Sequence, residues 1–317
     1  MQKPDLTIEE RKEKIAVVGT GLMGRGIGQS FAMAGYKVTL VDLDKKILEG
    51  ALSQIRTSLN VLSTEGIVSD EQSILNHISL ETNLPKGVHG SSLVVEAIFE
   101  NAQAKREVFQ KVEATVDSTC IISSNTSSIP IASISAGAKS PERMLGTHFW
   151  SPPHLMPAVE VVMGEQTSDE SVDKTVALLR TAGKKPVIVR KDVPGQIGIR
   201  ILYAMIREAT WLVENNIASP KDVDTAIKEA LGSRLEILGP LELADLSGID
   251  LVNNVASTLY KSLDSSQEPQ KLIQDMVAKK ELGVKTGKGF YDWKKDRDPA
   301  ETLKLRDRHL MNILKEK

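Results

Sequence analysis

Two groups of residues have the types and spacing to do chemistry. The first is Gly19-Thr20-Gly21-Leu22-Met23-Gly24, with an acid, Asp42, eighteen residues past Gly24. Such a turn binds a pyrophosphate: Gly19 permits the tight turn, Gly21 lets phosphates approach the backbone, and Gly24 allows a helix to pack closely on a strand. The free N–H groups and positive end of the following helix attract the anion. A carboxylate at Asp42 accepts hydrogen bonds from adenosine ribose hydroxyls and repels a 2′-phosphate, which points to NAD over NADP. Arg25 is the one nearby cation that pulls the other way. The plainer reading is a tight βα turn without a ligand, but the strand, helix and acid around it favour the cofactor.

The second group is His148, in Thr147-His148-Phe149-Trp150-Ser151-Pro152-Pro153, with Glu160 twelve residues on. Oxidising a secondary alcohol needs a base for the hydroxyl proton, and histidine suits neutral pH. A carboxylate on its other nitrogen would fix the tautomer and stabilise the imidazolium. Spacing alone favours a plainer reading, an ordinary histidine and a solvated strand glutamate. His148 and His154 lack a third ligand at metal-site spacing, so no metal is expected. The hydroxyls of Ser123-Ser124-Asn125-Thr126-Ser127-Ser128 can hold a substrate oxygen or cap the next turn. No GxSxG elbow surrounds them, which argues against a serine hydrolase.

Positioning these groups requires a sheet. Strand-like runs at Lys14–Val18, Lys37–Val41, Leu93–Val95, Cys120–Ile122, Met144–Gly146, Val159–Val162 and Val187–Val189 alternate with helical segments, including 44–64, 102–116 and 169–181. That alternation predicts an α/β, Rossmann-type, doubly wound and mostly parallel sheet. His148 falls just after its predicted strand, and Cys120 inside one as a core residue. From Lys191-Asp192-Val193-Pro194-Gly195 onward the pattern is helical, with Ser219-Pro220 a strong start signal. Two domains are therefore expected, 1–191 binding the cofactor and 192–317 all-helical. The charged tail beyond Trp293 reads as a helix, solvated by default, with Leu303, Leu310 and Leu314 as possible docking residues.

The chain has 317 residues, 41% hydrophobic and 26% charged, an ordinary globular composition at about two domains. Forty Lys+Arg against forty-two Asp+Glu leave a net charge of -2 and no cation excess for nucleic acid. No apolar run approaches a membrane span. The polar N-terminus predicts no secretory signal, and the single cysteine no disulfide framework. A cytoplasmic protein is expected.

Taken together, the motifs resemble the L-3-hydroxyacyl-CoA dehydrogenase family. Gly19–Gly24, Val94-Val95-Glu96-Ala97-Ile98-Phe99-Glu100, Ser124-Asn125-Thr126-Ser127-Ser128, His148-Phe149, Val159-Glu160-Val161, Pro194-Gly195 and Lys285-Thr286-Gly287-Lys288-Gly289-Phe290-Tyr291 match it in order and spacing over roughly residues 13–293. The resemblance implies NAD-dependent oxidation of an L-3-hydroxyacyl thioester to the 3-keto compound and a homodimer built through the helical domain. It implies His148 as base, Glu160 as its orienting partner and Ser127 as the hydroxyl touching substrate and nicotinamide. Glu100, Lys105 and Lys285 match cofactor-contacting positions.

Two departures alter the implied substrate wall. Ser151 stands where the family has a site asparagine, and Ile199 replaces a second one. Ile47 to Leu75, where the family places lysines near CoA phosphates, offers only Arg56 against Glu49, Glu65, Asp70 and Glu71. The alternative is a family member acting on a small non-CoA hydroxy acid or alcohol of pyridine-carboxylate or carnitine type, with His154 contacting its carboxylate. A catalytically silent NAD-binding module is the remote alternative.

Overall fold

The computed structural model describes residues 11–315. They pack as two compact units: one runs to Ile197 and resumes at Arg306, and the other is Gly198–Leu305. The first unit holds an eight-stranded sheet of β1 (Lys14–Val18), β2 (Lys37–Val41), β3 (Ile78–Glu81), β4 (Leu93–Glu96), β5 (Ile121–Ser124), β6 (Met144–Phe149), β7 (Ala158–Met163) and β8 (Lys185–Val189). Their spatial order is β3-β2-β1-β4-β5-β6-β7-β8. Neighbours run parallel except at β6 and β7, which are antiparallel, so the sheet is Rossmann-type with a reversed edge.

Both faces of the sheet are covered. Ile15, Val17, Val38, Leu40, Leu93, Val95 and Leu145 point to one face, where they meet Ile27 and Phe31 of the helix Leu22–Met33 and Leu48, Ile55, Leu59 and Leu62 of the helix Lys45–Thr64. Ala16, Val18, Val94, Ile122 and Met144 alternate to the other face, against Phe109 and Val112 of the helix Ala102–Glu113. This period-two sorting with both faces apolar is what a buried parallel sheet requires. The helix Lys45–Thr64 begins where Asp44 accepts from the Lys46 N–H, an N-cap that satisfies one orphan donor.

Several expectations are corrected. β3 has no counterpart among the predicted strands: it is short, half-exposed and at the sheet's edge, with Ser79 between Ile78 and Leu80. β6 runs to Phe149, so His148 lies inside a strand rather than after one. Cys120 precedes β5 instead of lying within it; it is buried, and burial pushes its thiol up to about 12. The compact units divide at Ile197/Gly198, a few residues past the expected 191/192, and the segment after β8 is tied to the sheet by the Ile197 N–H donating to Glu160.

The tail also departs from a solvated helix within the second domain. The helix Pro299–Lys315 returns part of itself to the first unit, where Met311 is buried and Leu310 and Leu314 pack on the core. Lys315 Nζ reaches Glu65 at 2.8 Å, whereas Leu303 stays exposed. The exposed ion pair adds little, so the apolar contacts carry the docking. Met311→Ala is expected to cost about 2–3 kcal/mol, read as an earlier midpoint in denaturant titration.

The second unit comprises mainly the helices Gly198–Glu214, Pro220–Ala226, Pro240–Ser247, Ile249–Leu259 and Lys271–Ala278. Ser219 caps the second of these, its Oγ accepting from the Asp222 N–H, as the Ser-Pro pair predicts. The last three helices contain no buried residue. Among the described residues no helix is long and apolar enough to cross a membrane.

Candidate active site

The glycine turn follows β1 directly. Gly19 has φ +89°, and a Cβ there would lie 2.8 Å from the Ala97 carbonyl, so both conformation and space demand glycine. A Cβ on Gly24 would come within 1.8 Å of the Gly19 carbonyl oxygen. At Gly21 a Cβ would meet nothing within 4 Å, and the helix that starts after it has no side-chain cap. An open backbone and uncapped amides at a helix N-terminus are what a dinucleotide's diphosphate needs, so the residues fit NAD.

Asp42, half-buried at the end of β2, braces the turn. Its Oδ2 accepts from Thr20 N–H at 2.8 Å and from Thr20 Oγ1 at 2.9 Å, and its Oδ1 accepts from Leu43 N–H at 2.8 Å. The Thr20 hydroxyl is thus committed to Asp42, and the carboxylate keeps lone pairs for ribose hydroxyls. Leu22 is exposed at the start of the helix, while Met23 contributes to the cleft described next.

Beside the turn lies a cleft of about 340 Å³, walled by residues that include Met23, Ile98, Glu100, Ser127, His148 and Ser151. The antiparallel register of β6 and β7 sets His148 directly opposite Glu160, and opposed residues share one face of the sheet. His148 Nδ1 lies 2.7 Å from Glu160 Oε2, with both residues buried. The other carboxylate oxygen, Oε1, accepts from Ile197 N–H at 2.9 Å. With an ionised carboxylate as acceptor, the ring proton sits on Nδ1 and Nε2 is the basic nitrogen. A braced imidazole on a cleft wall can take a proton from an alcohol.

Ser127 is exposed on the same cleft, held by its backbone. Glu100 Oε1 accepts from Thr126 Oγ1 at 2.5 Å, from Ser127 N–H at 3.3 Å, and from Ser128 N–H and Oγ at 3.2 and 3.0 Å. Burial pushes the Glu100 carboxyl up, but Thr126, the Lys105 charge and Ser128 outweigh it and hold it below its ordinary value. Lys105, matched above to a cofactor-contacting position, is buried and off the cleft wall. Its Nζ is spent on Glu96 at 2.9 and 3.1 Å, the Ile98 carbonyl at 3.3 Å and Glu100 at 3.3 Å.

His154, the candidate contact for a substrate carboxylate, also lies elsewhere. It is absent from the cleft wall; its Nε2 lies 3.1 Å from Ser58 Oγ on the helix Lys45–Thr64, and its buried Nδ1 has no partner. Burial first, then the Lys184 charge, lowers its pKa to about 4, so at neutral pH it carries no charge to offer a carboxylate. Between about 4 and the unfolded value near 6.5 the unfolded chain binds more protons, so acidification through that window removes stability, up to roughly 3 kcal/mol. The expected result is a melting temperature that falls more steeply from pH 6.5 to 4 in the wild type than in His154→Gln.

Lys285 and Ile199 belong to the second unit: Lys285 is exposed in the tight Gly283–Lys288 loop, and Ile199 is half-buried in the first turn of the helix Gly198–Glu214. Two contributors escaped the sequence reading. Asn125 walls the cleft and its Oδ1 accepts from Phe149 N–H at 2.9 Å, locking the loop after β5 to the strand bearing His148. Glu96, fully buried, bonds Ser124 and Lys105. Its signal was an acid closing the apolar run Leu93-Val94-Val95.

Comparison with known proteins gives the same picture. Residues 14–193 match the 3-hydroxyacyl-CoA dehydrogenase NAD binding domain, and residues 195–293 match the C-terminal domain of that family. The 5-formyl-3-hydroxy-2-methylpyridine 4-carboxylate 5-dehydrogenase of Mesorhizobium japonicum is 33% identical over 277 residues, 87% of this chain and 89% of that protein. A crystal structure of an enzyme of that name, an NAD+-dependent dismutase, superposes with a TM-score of 0.85 at 32% identity, covering 95% of this chain and 97% of the other. The (S)-3-hydroxybutyryl-CoA dehydrogenase of Ralstonia eutropha superposes at 0.74 with 35% identity, covering 88% and 98%. With both domains matched and the glycine turn fitted for NAD, the chain belongs to the 3-hydroxyacyl-CoA dehydrogenase family, NAD-dependent oxidoreductases acting on CH–OH groups.

Proposed function

We propose that the protein oxidises the secondary hydroxyl of an L-3-hydroxyacyl-CoA of the 3-hydroxybutyryl type to the 3-keto thioester. The observation that carries this reading is the His148–Glu160 pair, 2.7 Å apart on the wall of a cleft that begins at the glycine turn. NAD, when bound on that turn, would accept the hydrogen of the carbinol carbon with its electron pair, so that this C–H bond breaks as the C=O bond forms. His148 Nε2 takes the hydroxyl proton, while Glu160 holds Nδ1–H and stabilises the imidazolium that forms. Ser127, presented by the loop that Glu100 pins, donates a hydrogen bond to the substrate oxygen. Asp42 accepts from the adenosine ribose. Running the steps backward, protonated His148 returns the proton to the alkoxide.

A second reading keeps this chemistry and changes the substrate to a small hydroxy compound bearing a carboxylate. Two observations favour it: the higher TM-score to the pyridine-carboxylate enzyme, and the lone cation, Arg56, between Ile47 and Leu75. A CoA ester brings several phosphate charges that call for basic partners. Following NADH absorbance with 3-hydroxybutyryl-CoA, free 3-hydroxy acids and hydroxylated pyridine carboxylates decides. Saturable turnover of the CoA ester alone upholds the first reading; turnover of only the small acids overturns it.

We also infer a homodimer formed through the helical unit. Tyr203, Leu241, Leu246, Ile249 and Leu251 are each more than half exposed there. A protein interface would take these side chains out of water, and a second copy is the partner the family resemblance implies. Light scattering behind size exclusion should give twice the chain mass, and a monomer would refute the inference.

A further inference from the structure

The buried end of β4 carries an ionic array larger than the chemistry above requires. Glu96 is 0% exposed and Lys105 1% exposed. Glu96 Oε2 accepts from Ser124 Oγ at 2.5 Å, its Oε1 accepts from Ile98 N–H at 2.7 Å, and Lys105 Nζ donates to both oxygens. The parallel register puts Glu96 beside Ser124 on one side and Val18 on the other, so the carboxylate sits between the cofactor strand and the strand leading to Ser127. Replacing a buried ion pair with apolar groups is often neutral or stabilising, so stability alone does not account for an array in this place.

What hangs from it is informative. Through Ile98 N–H, Glu96 fixes the Ala97-Ile98 backbone, and that backbone is the surface against which Gly19 packs. Through Ser124 Oγ, which accepts from Thr126 N–H at 3.2 Å, it fixes the start of the Asn125–Ser128 loop. Through Lys105, which also pairs with Glu100 at 3.3 Å, it anchors the carboxylate that holds Thr126, Ser127 and Ser128. The array Glu96–Lys105–Glu100 therefore joins the cofactor wall of the cleft to its hydroxyl-bearing wall.

We propose that Glu96 is a positioning residue for the oxidation, a buried carboxylate that sets Ser127 against the nicotinamide end of the cleft by way of Lys105 and Glu100. The proposal rests on the dehydrogenase reading above and adds a residue that touches neither substrate nor cofactor. Glu96→Gln keeps the shape and an acceptor for Ile98 but removes the charge that holds Lys105. Lys105 then pairs with Glu100 alone, and the loop loses its fixed reference.

The test has two arms. Hydrogen exchange of the NADH-loaded protein needs no substrate: Glu96→Gln should speed exchange in the peptide covering residues 125–128 and leave β7 unchanged. Equal exchange in both proteins overturns the proposal. With whichever substrate the wild type turns over, kcat should fall on the order of tenfold with KM for NAD little changed, and Ser127→Ala added to Glu96→Gln should cost almost nothing further. Fully multiplicative losses would mean that Glu96 acts independently of Ser127 and would refute it. If Glu96→Gln does not fold, Glu96→Gln/Lys105→Gln, which leaves only the part-exposed Glu100 without its cation, is measured by the same readouts. A wild type that turns over no substrate refutes the substrate reading, while the exchange arm still decides the role of Glu96.

Discussion

Replacing His148 by alanine is expected to lower kcat by about 10³-fold, the middle of the range that a positioned general base contributes. Affinity for NADH should be preserved, because the glycine turn and Asp42 are held by contacts that do not pass through the imidazole. The substitution leaves Glu160 without its Nδ1 partner but with the Ile197 N–H still donating to Oε1. A residual bond of that kind limits the damage to the fold, and a thermal melt separates loss of stability from loss of chemistry. Stopped-flow NADH absorbance is the measurement. Activity within a few fold of the wild type would remove His148 from the reaction.

Glu160→Gln is the sharper experiment, since it changes a proton rather than a shape. The glutamine carbonyl can take the place of Oε1 and keep the Ile197 N–H, which directs the NH₂ group toward His148 Nδ1. A donor facing Nδ1 makes that nitrogen the acceptor and moves the ring proton to Nε2, the atom needed as base. The expected loss in kcat is on the order of 10³–10⁴, the size seen when a catalytic histidine is held in the wrong tautomer. Raising the pH should not restore activity, because the fault is in the tautomer and not in the protonation state. Recovery at high pH would argue instead that Glu160 acts by charge alone.

How far the sequence reveals this site depends on whether a contact is local. The GxGxxG turn, its flanking strand and helix, and Asp42 lie within one βαβ unit, and their pattern alone predicts the arrangement found. The pairing of His148 with Glu160 is a matter of register across two strands, and spacing alone leaves it open because a strand reversal is invisible in a list of apolar runs. The position of Lys105 is harder still. A lysine on an amphipathic helix reads as exposed, and only the acid at the end of β4 draws it inward. His154 reads as a polar loop residue, yet its loop folds down onto Ser58. Edge strand β3 goes unseen because half-exposed strands lack the continuous apolar run of a buried one. The return of the last helix rests on Leu310, Met311 and Leu314, whose spacing indicates an apolar stripe but not the surface that receives it.

That returning helix makes the sheet-bearing unit discontinuous along the chain, with the whole of Gly198–Leu305 inserted between its parts. During synthesis on the ribosome, the nascent sheet therefore emerges with a patch of its apolar core uncapped. The patch stays open until the residues after Arg306 have left the exit tunnel. Nascent chains stalled before Met311 should consequently bind chaperones that recognise bare hydrocarbon surface, and release from the stall should free them.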